Sequence, residues 1–399
     1  MFYKLLITFL TLVAVVMGLH YFKREFNVGP GLNFISQYLP KNATPTPELL
    51  SPVPDLSATS AAIVLTPRAQ LSRLLAVPVI LDEDSIASSS ISLTLIGELE
   101  PAVVTLFGSD IAATTAAVVI DQLQALPNPP IIAVDHEGGT VQRLSGDGFT
   151  ILPSWRTLCQ MAPEKREQLL ASAAAELKAV GVDLVLGPVV DRTASGSALA
   201  GRTCSSQPEV IAQNAQALID IFEKNGIASM LKHYPGIGAA RADLHTRSAV
   251  IALTPQDTQP FETLLTQTPS LPVMIGHVRI EPAQPDLPCS MSTLCVGELR
   301  RVYPQSLLVT DALEMKSAGF LASSSALLRP LPERAASALQ AGVDMLLFGP
   351  SVTELELTES LDLLEQVYVV QGKFDARVTT HFDRVTQWQQ SLRAQQSAP

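Results

Sequence analysis

From about residue 101 onward this chain alternates short apolar runs with longer amphipathic segments, and no other feature of the sequence constrains the fold as strongly. Runs rich in Val, Ile and Leu are typical of parallel strands, and the segments between them carry helical spacing. The predicted strands are Ala102–Phe107, Ile131–Val134, Leu184–Val190, Ala228–Leu231, Val273–Ile275, Leu307–Thr310 and Met345–Phe348. The predicted helices are Ile111–Leu126, Lys165–Val180, Pro208–Asn225, Ser292–Val302 and Pro332–Ala341. The alternation predicts an α/β fold.

Polar side chains follow nearly every predicted strand. They are Asp135, Glu137, Asp191, Lys232, His233, His277 and Asp311. In a (β/α)8 barrel the carboxyl ends of all strands open on one face, so residues that are distant in sequence meet in one pocket. A doubly wound open sheet also fits the alternation but scatters such residues more widely. The sequence therefore favours a single catalytic domain built as a TIM-type (β/α)8 barrel.

The composition is that of a globular protein whose partners are not nucleic acids. Of the 399 residues, 47% are hydrophobic and 16% are charged, which supplies enough apolar side chain for one large core. The formal net charge is -11, and no basic cluster extends beyond the Lys23-Arg24 pair, so a polyanion-binding surface is disfavoured. No motif points to a nucleotide, a flavin or a metal ion, and no cofactor is expected.

The chain opens with an uncharged apolar run, Leu5–Leu19, between Lys4 and the Lys23-Arg24 pair. This pattern is typical of an export signal, although the run is shorter than the roughly 20 residues of a membrane span. Residues 1–25 are predicted to be a signal or membrane anchor. The lack of a clear cleavage site favours an uncleaved anchor, so membrane contact through this segment is expected.

The segment after the apolar run is rich in Pro, Thr and Ser. Residues 26–60 have too little apolar periodicity to pack and are predicted to be a linker. The barrel domain is predicted to cover residues 61–395. Together with the export signal, this order predicts an extracytoplasmic protein that is either anchored or secreted.

The four cysteines show no spacing that identifies a metal or redox centre. Cys159, Cys204, Cys289 and Cys295 lack CxxC spacing and a companion His pattern. Separate free thiols are the favoured interpretation, because spacing alone does not establish the geometry of a bridge. A disulfide between Cys289 and Cys295 is the alternative.

Three stretches combine the residue types that glycoside chemistry needs. They are AVDHEGGTVQRL at Ala133–Leu144, LKHYPGIGAARADLHT at Leu231–Thr246 and LLVTDALEM at Leu307–Met315. Hydrolysis with retention requires one carboxylate that attacks the anomeric carbon and a second group that first protonates the departing oxygen and later activates water. Together the stretches offer a nucleophile, a proton donor and several groups that can hold hydroxyls.

These stretches resemble glycoside hydrolase family 3, in particular its peptidoglycan-recycling β-N-acetylglucosaminidase branch. The resemblance spans about residues 100–350, in matching order. Further matching segments are Phe149–Ser154, Gly181–Asp191, Gly201–Arg202, Val273–Val278 and Ala341–Gly349. The resemblance implies a retaining β-N-acetylhexosaminidase that removes terminal N-acetylglucosamine from the non-reducing end of peptidoglycan fragments or related glycans.

The resemblance also implies roles for individual residues. Asp311 of the TDAL motif matches the nucleophile, and His245 matches a proton donor on a mobile loop. Asp243 matches the carboxylate that accepts a hydrogen bond from this imidazole and stabilises its charged form. Five further residues match positions that bind the sugar: Asp135, Arg143, Arg202, Lys232 and His233. His277 is predicted either to line the same pocket or to be a core histidine.

The loop of the histidine departs from the family pattern, PGHGDT followed by DSH. Four polar residues of that pattern are replaced here by Ile237, Ala239, Ala240 and Leu244. These changes remove side-chain hydrogen bonds, so the closed geometry of the loop is expected to be altered or less well held. The retained Asp-x-His pair favours an active enzyme.

Three alternatives remain at this point. The first is a β-glucosidase-type enzyme, but such relatives take their acid from a second α/β domain, and Leu355–Arg393 is predicted to form helices that close the barrel. The second is phosphorolysis, because a neutral histidine acid tolerates an incoming phosphate. The third is a surface-anchored sugar-binding barrel without catalysis, which the altered loop suggests.

Overall fold

The structure is a computed structural model that describes residues 65–83, 85–87, 90–282, 286–321, 324–370, 373–374 and 376–397. The predicted anchor at residues 1–25 and the predicted linker at 26–60 lie outside the described residues. Within the described ranges, no helix combines the length and the apolar character needed to cross a membrane.

The main strands form two parallel sheets. They are β1 (Leu75–Ile80), β2 (Val103–Phe107), β3 (Ile131–Val134), β4 (Leu184–Val185), β5 (Ala228–Ser229), β6 (Leu231–Tyr234), β7 (Val273–Ile275), β8 (Leu308–Thr310) and β9 (Leu346–Leu347). One sheet has the order β9-β1-β2-β3-β4-β5, and the other has the order β8-β7-β6. Single parallel bridges also pair Val189, which follows β4 in the chain, with Lys232 of β6, and Met345, which directly precedes β9, with Val309 of β8. The predicted α/β class with parallel strands is confirmed.

Four short strand pairs lie outside these sheets. His136–Gly138 pairs with Val141–Gln142, Val250–Ala252 with Arg279–Glu281, Phe320–Leu321 with Ser324–Leu328, and Val369–Val370 with Lys373–Phe374. The first of these pairs follows β3 directly. It therefore shapes the loop that carries the predicted sugar-binding residues.

Helices alternate with the strands as the sequence predicts. They cover Pro67–Ser72, Leu93–Leu99, Ala113–Gln124, Trp155–Gln160, Pro163–Val180, Pro208–Lys224, Pro255–Gln267, Thr293–Val302, Lys316–Gly319, Leu331–Ala341, Glu354–Tyr368 and Ala376–Ser397, with 3-10 turns at Ala200–Arg202 and Cys289–Met291. Prolines at the first helical position, such as Pro163 and Pro208, begin helices because their missing N–H has no intrahelical partner there. Gly181 ends a helix with a φ of 93°, which glycine adopts without steric cost.

The strand side chains are buried on both faces, as expected for parallel strands covered by helices. Every residue of β3, β6 and β7 is buried. The helices supply the second layer of this core through side chains such as Phe222 and Phe261, which are 1% and 0% exposed. This burial leaves the strand ends and the loops after them as the surface on which polar residues meet.

Both cysteine pairs form disulfides, so the interpretation as free thiols is wrong. Cys289 and Cys295 are bridged with their Cα atoms 5.3 Å apart, as in the alternative that the sequence left open. Cys159 and Cys204 are bridged across 45 residues with their Cα atoms 5.6 Å apart. The second pair could not be predicted from spacing, because the packing of helix Trp155–Gln160 against the 3-10 turn brings its members together.

The carboxylate of Asp344 ties the last helix, Ala376–Ser397, to the strands. Its oxygens pair with Arg300, with His381 Nδ1 at 2.9 Å and with Arg384 at 3.3 Å. Burial alone raises the pKa of Asp344, but the hydrogen bond from His381 and the charge of Arg300 outweigh it and lower the pKa. The side chain of Asp344 is fully buried, so its charge is stabilised by these partners and by the backbone N–H of Leu308, which donates to Oδ2 at 2.9 Å.

We expect Asp344→Asn to lower the free energy of unfolding by about 3–5 kcal/mol, because it leaves buried cations without their partner. The folded-state pKa is lowered, so the contribution is full above the unfolded pKa of about 3.9 and is lost as the pH falls through the folded pKa. Urea unfolding at pH 7 measures the effect. Asp362→Asn is the matched control, since its exposed pair with Arg68 is expected to contribute less than about 1 kcal/mol. Equal losses in both variants would contradict the expectation.

Candidate active site

A cavity of about 370 Å³ lies where the chain leaves β3, β6 and β8. Asp135 directly follows β3, Lys232 and His233 lie within β6, and Asp311 directly follows β8. Parallel strands end on the same side of their sheet, which explains why segments distant in sequence meet here. All eight candidate residues line the cavity: Asp135, Arg143, Arg202, Lys232, His233, Asp243, His245 and Asp311.

One wall of the cavity is a buried network of opposite charges. Lys232 Nζ lies 2.6 Å from Asp135 Oδ1 and 2.5 Å from Glu137 Oε1. Burial alone lowers the pKa of the Lys232 ammonium, but the two carboxylates outweigh it and raise the pKa. Burial likewise raises the pKa of Asp135, and the charge of Lys232 reverses the shift. The network is therefore ionised at neutral pH and presents fixed charges to a ligand.

Glu137 also holds the guanidinium of Arg202. Arg202 Nε and Nη2 donate to the two carboxylate oxygens of Glu137 at 2.8 and 2.9 Å, a bidentate geometry that fixes the plane of the guanidinium. Burial raises the pKa of Glu137, but Lys232 and Arg202 outweigh it and lower the pKa to about 2. On the other side of the network, Arg143 Nη2 lies 3.4 Å from Asp135 Oδ2. The guanidinium carbon of Arg143 lies over the ring of Phe107, 5.6 Å from its centroid, in a cation–π contact.

His233 is held by a carboxylate beneath the cavity. Asp191 Oδ2 lies 2.8 Å from His233 Nδ1 and accepts the backbone N–H of His233 at 3.1 Å. Its second oxygen accepts the backbone N–H of Ile237 at 2.6 Å. When Nδ1 donates to Asp191, Nε2 is left to face the cavity, 3.4 Å from Arg202. One buried carboxylate therefore orients the ring and anchors the loop that follows it.

Asp311 is fixed directly after β8. Its backbone N–H donates to Ile275 O at 2.9 Å, and its Oδ1 accepts the N–H of Ala312 at 2.8 Å. Burial raises the pKa of Asp311, but the neighbouring His233 and the hydrogen bond from the Ala312 N–H help to outweigh it and lower the pKa. An ionised carboxylate at the floor of a cavity has the charge and the rigidity that a nucleophile needs.

Asp243 and His245 lie at the open side of the cavity. His245 Nδ1 is 2.8 Å from Asp243 Oδ1, and the side chains are 66% and 59% exposed. Desolvation raises the pKa of Asp243, but the hydrogen bonds from the ring and the backbone N–H of His245 together outweigh it and lower the pKa. His245 also contributes to the lowered pKa of Asp311, so the pair lies within electrostatic reach of this carboxylate.

The loop that carries the pair is held by apolar packing and backbone hydrogen bonds. Ile237, Ala240 and Leu244 are only 4%, 3% and 6% exposed. The carbonyls of Leu244 and His245 accept the backbone N–H groups of Ser317 and Lys316, both at 3.2 Å. Ile237, Ala240 and Leu244 stand where the family pattern has polar residues, and their apolar side chains are buried in this loop.

The chain resembles known proteins over more than half of its length. The model of the glycosyl hydrolase family 3 N-terminal domain matches residues 95–387, which is more than half of the chain. The chain belongs to glycosyl hydrolase family 3. A relative named beta-hexosaminidase, from Hydrogenovibrio crunogenus, is 36% identical over 251 residues, which cover 57% of this chain and 68% of the relative.

Two solved structures share the fold, one of them a glycoside hydrolase family 3 enzyme. A β-N-acetylglucosaminidase from Paenibacillus sp. str. FPU-7 matches 84% of this chain and 63% of its own chain, with a TM-score of 0.68 and 23% identity. A β-N-acetylhexosaminidase from Beutenbergia cavernae matches 84% of this chain and 99% of its own, with a TM-score of 0.65 and 22% identity. At these identities the likeness concerns the fold.

His277 is a core histidine in this family 3 chain. It is fully buried and does not belong to the described lining of the cavity. Its two ring nitrogens lie 2.7 Å from Ser290 Oγ and 3.0 Å from Ala312 O. Of the two predictions made for His277, the core position is confirmed.

Three acidic residues at or beside the cavity have no role assigned from the sequence, although Glu137 and Asp191 were expected to meet in the same pocket. Glu137 and Asp191 lie beneath the sugar-binding candidates, and Glu314 lines the cavity and accepts the N–H of Gly349 at 2.8 Å. Burial raises the pKa of Glu314. Both Glu137 and Asp191 follow predicted strands, which was a usable signal, but their partners Arg202 and Ile237 come from other segments.

Among the described residues, no group of three or more His, Cys, Asp or Glu side chains is arranged to hold a metal ion.

We expect Glu137→Gln to raise KM about tenfold or more while changing kcat less, because Arg202 and Lys232 lose the buried charge that orients both. Steady-state kinetics on a chromogenic N-acetylglucosaminide measure the split between KM and kcat. The exposed Glu359→Gln removes the same charge elsewhere and is expected to leave both constants unchanged. An unchanged KM in Glu137→Gln would show that Arg202 is positioned without Glu137.

Proposed function

We propose that this chain is a retaining β-N-acetylhexosaminidase that removes terminal N-acetylglucosamine from the non-reducing end of peptidoglycan fragments or related glycans. The observation that carries the proposal is one cavity with the ionised Asp311 at its floor and the hydrogen-bonded pair Asp243 and His245 at its opening. Retaining chemistry needs a nucleophile and an acid/base group within reach of one glycosidic bond. The name beta-hexosaminidase of a family 3 relative at 36% identity supports the substrate class.

In the proposed reaction, a carboxylate oxygen of Asp311 attacks the anomeric carbon while the glycosidic bond breaks. The departing oxygen takes the proton of His245 Nε2, and Asp243 stabilises the imidazole through Nδ1. In the second half, His245 removes a proton from water. The water oxygen then attacks the anomeric carbon and releases Asp311, so the sugar leaves with its original configuration.

The charged wall is proposed to hold the sugar. Carboxylate, ammonium and guanidinium groups donate and accept hydrogen bonds in fixed directions, which suits hydroxyl and N-acetyl groups. Asp135, Arg143, Arg202, Lys232 and His233 are assigned to this role. Because their partners lie in the protein, little reorganisation is needed when the sugar binds.

We further propose that the two sheets form one closed barrel and that the domain acts outside the cytoplasm. The parallel bridges Val189–Lys232 and Val309–Met345 support closure, since each joins a strand of the three-stranded sheet to a segment that flanks a strand of the six-stranded sheet. Two disulfides support an oxidising compartment, because such bonds are rare in the cytoplasm of mesophiles. The predicted export segment at residues 1–25 agrees with this location.

A chromogenic N-acetyl-β-glucosaminide tests the function with the purified full chain. Release that is abolished in Asp311→Ala supports the hydrolase, whereas binding without release supports the sugar-binding alternative. Faster release from the glucoside than from the N-acetylglucosaminide supports the β-glucosidase alternative. A sugar 1-phosphate formed in phosphate buffer, in place of free sugar, supports phosphorolysis. Each of the last three results would overturn the proposal.

A further inference from the structure

The imidazole of His277 joins two segments behind the catalytic cavity. Its Nε2 lies 3.0 Å from Ala312 O, and its Nδ1 lies 2.7 Å from Ser290 Oγ. A carbonyl oxygen only accepts, so Nε2 carries a proton. Burial lowers the pKa of His277 despite the nearby charge of Asp311, so the ring is neutral and Nδ1 accepts the hydroxyl proton of Ser290.

On one side, His277 constrains the residue that holds the nucleophile. Ala312 accepts the Nε2–H of His277 through its carbonyl and donates its own N–H to Asp311 Oδ1 at 2.8 Å. Both bonds are made by the backbone of the same residue. The two groups lie in adjacent peptide planes that share the Cα of Ala312. Loss of the contact with the ring therefore frees the carbonyl plane and, through this Cα, loosens the N–H that points at the carboxylate.

On the other side, Ser290 lies in a covalently closed turn. It is the central residue of the 3-10 turn Cys289–Met291 and is fully buried. The disulfide between Cys289 and Cys295 closes the segment, and Cys289 N donates to Val278 O at 2.7 Å. Val278 is the neighbour of His277, so the turn is attached beside the ring that its serine contacts.

We propose that Ser290 and His277 are positioning residues for Asp311, and that the disulfide of Cys289 and Cys295 fixes Ser290 for this purpose. The inference rests on the proposed function of Asp311 as the nucleophile. Neither His277 nor Ser290 belongs to the described lining of the cavity, so neither contacts the sugar. Their loss therefore changes the chemical step and leaves sugar binding intact.

The experiment compares kcat and KM of the full chain with a chromogenic N-acetylglucosaminide. Ser290→Ala is expected to lower kcat about tenfold and His277→Ala about a hundredfold, as for a reacting group displaced by up to about 1 Å, with KM within about twofold. His277→Gln, whose amide can donate to Ala312 O, is expected to recover part of the loss. The double variant Cys289→Ser with Cys295→Ser is expected to resemble Ser290→Ala.

Leu294→Ala is the matched control, since this side chain is 41% exposed and lies within the same disulfide loop. It is expected to keep the wild-type kcat. Thermal unfolding of each variant gives the folded fraction to which kcat is referred. Unchanged kcat in Ser290→Ala and His277→Ala, or a loss carried by KM, would overturn the inference while leaving the proposed function intact.

The protonation of His277 is a readout that does not depend on turnover. ¹⁵N NMR of the histidine rings is expected to show His277 neutral and protonated at Nε2, and to show a changed ring environment in Ser290→Ala. A wild-type chain that is inactive on the N-acetylglucosaminide would refute the proposed function. In that case, a proton on Nδ1 of His277 overturns the positioning inference. A proton on Nε2, together with the changed ring environment in Ser290→Ala, supports the hydrogen bonds from Ser290 through His277 to Ala312.

Discussion

Asp311→Ala is expected to lower kcat for a chromogenic N-acetylglucosaminide by about 10⁴ to 10⁶-fold, the range found when a catalytic nucleophile is removed. The backbone at Asp311 is fixed by Ile275, and the carboxylate is held by Ala312. No other group at that position is therefore expected to replace it. Substrate binding is expected to persist, because the charged wall around Lys232 is untouched, and equilibrium binding of N-acetylglucosamine measures this.

Azide provides the rescue that distinguishes a lost nucleophile from a damaged fold. A small anion can occupy the space of the missing carboxylate and attack the anomeric carbon, which yields a glycosyl azide of inverted configuration. Asp121→Ala is the control, since Asp121 is exposed on helix Ala113–Gln124 and is expected to have wild-type kinetics. Retained turnover in Asp311→Ala without azide would assign the nucleophile to another residue.

His245→Ala is expected to lower kcat/KM by about 10² to 10⁴-fold, the usual contribution of general acid/base catalysis. The loss is expected to be larger for a disaccharide than for an aglycone that leaves without protonation, because only the disaccharide needs the proton at the departing oxygen. Rates for a series of aglycones with increasing leaving-group pKa measure this dependence.

Asp243→Asn tests the partner of the imidazole, because His245 stays in place and only the carboxylate that contacts its Nδ1 is lost. An amide at this position has no charge to stabilise the imidazolium. When it donates to Nδ1, the proton stays on Nε2, which then cannot accept a proton from water, so the loss is expected to approach that of His245→Ala. Both side chains are more than half exposed, so neither substitution is expected to change the free energy of unfolding measurably. Equal losses for all aglycones in His245→Ala would contradict its role as the acid.

The fold was predictable from the sequence where an apolar run is also buried on both faces in the structure. All the predicted strands lie in the two sheets, because runs such as Ile131–Val134 are buried on both faces. β1 was missed because Pro78 lies in its middle, and proline inside an apolar run argues against a strand. The predicted strand Leu184–Val190 is shorter in the structure because Gly187 and Pro188 end its regular pairing after Val185.

The sequence predicts which residues line the site, but it does not predict the hydrogen bonds and ion pairs that hold them in place. Asp311 directly follows a strand, and His245 and the sugar-binding candidates lie at predicted strand ends or on the loops after them, so one cavity could be anticipated from their positions. Their supports could not, since Glu137, Asp191 and Ser290 each hold a partner that is distant in sequence and is brought near only by the packed fold. The disulfide between Cys159 and Cys204 escaped prediction for the same reason.

The most direct measurement is the identification of the residue that becomes bonded to the sugar. A fluorinated N-acetylglucosaminyl fluoride that forms the covalent intermediate quickly and releases it slowly is incubated with the full chain, which is then digested for mass spectrometry. We expect one added sugar on the peptide that contains Asp311, and none in Asp311→Ala. A label on another carboxylate, or turnover with inverted configuration and no label, would contradict it.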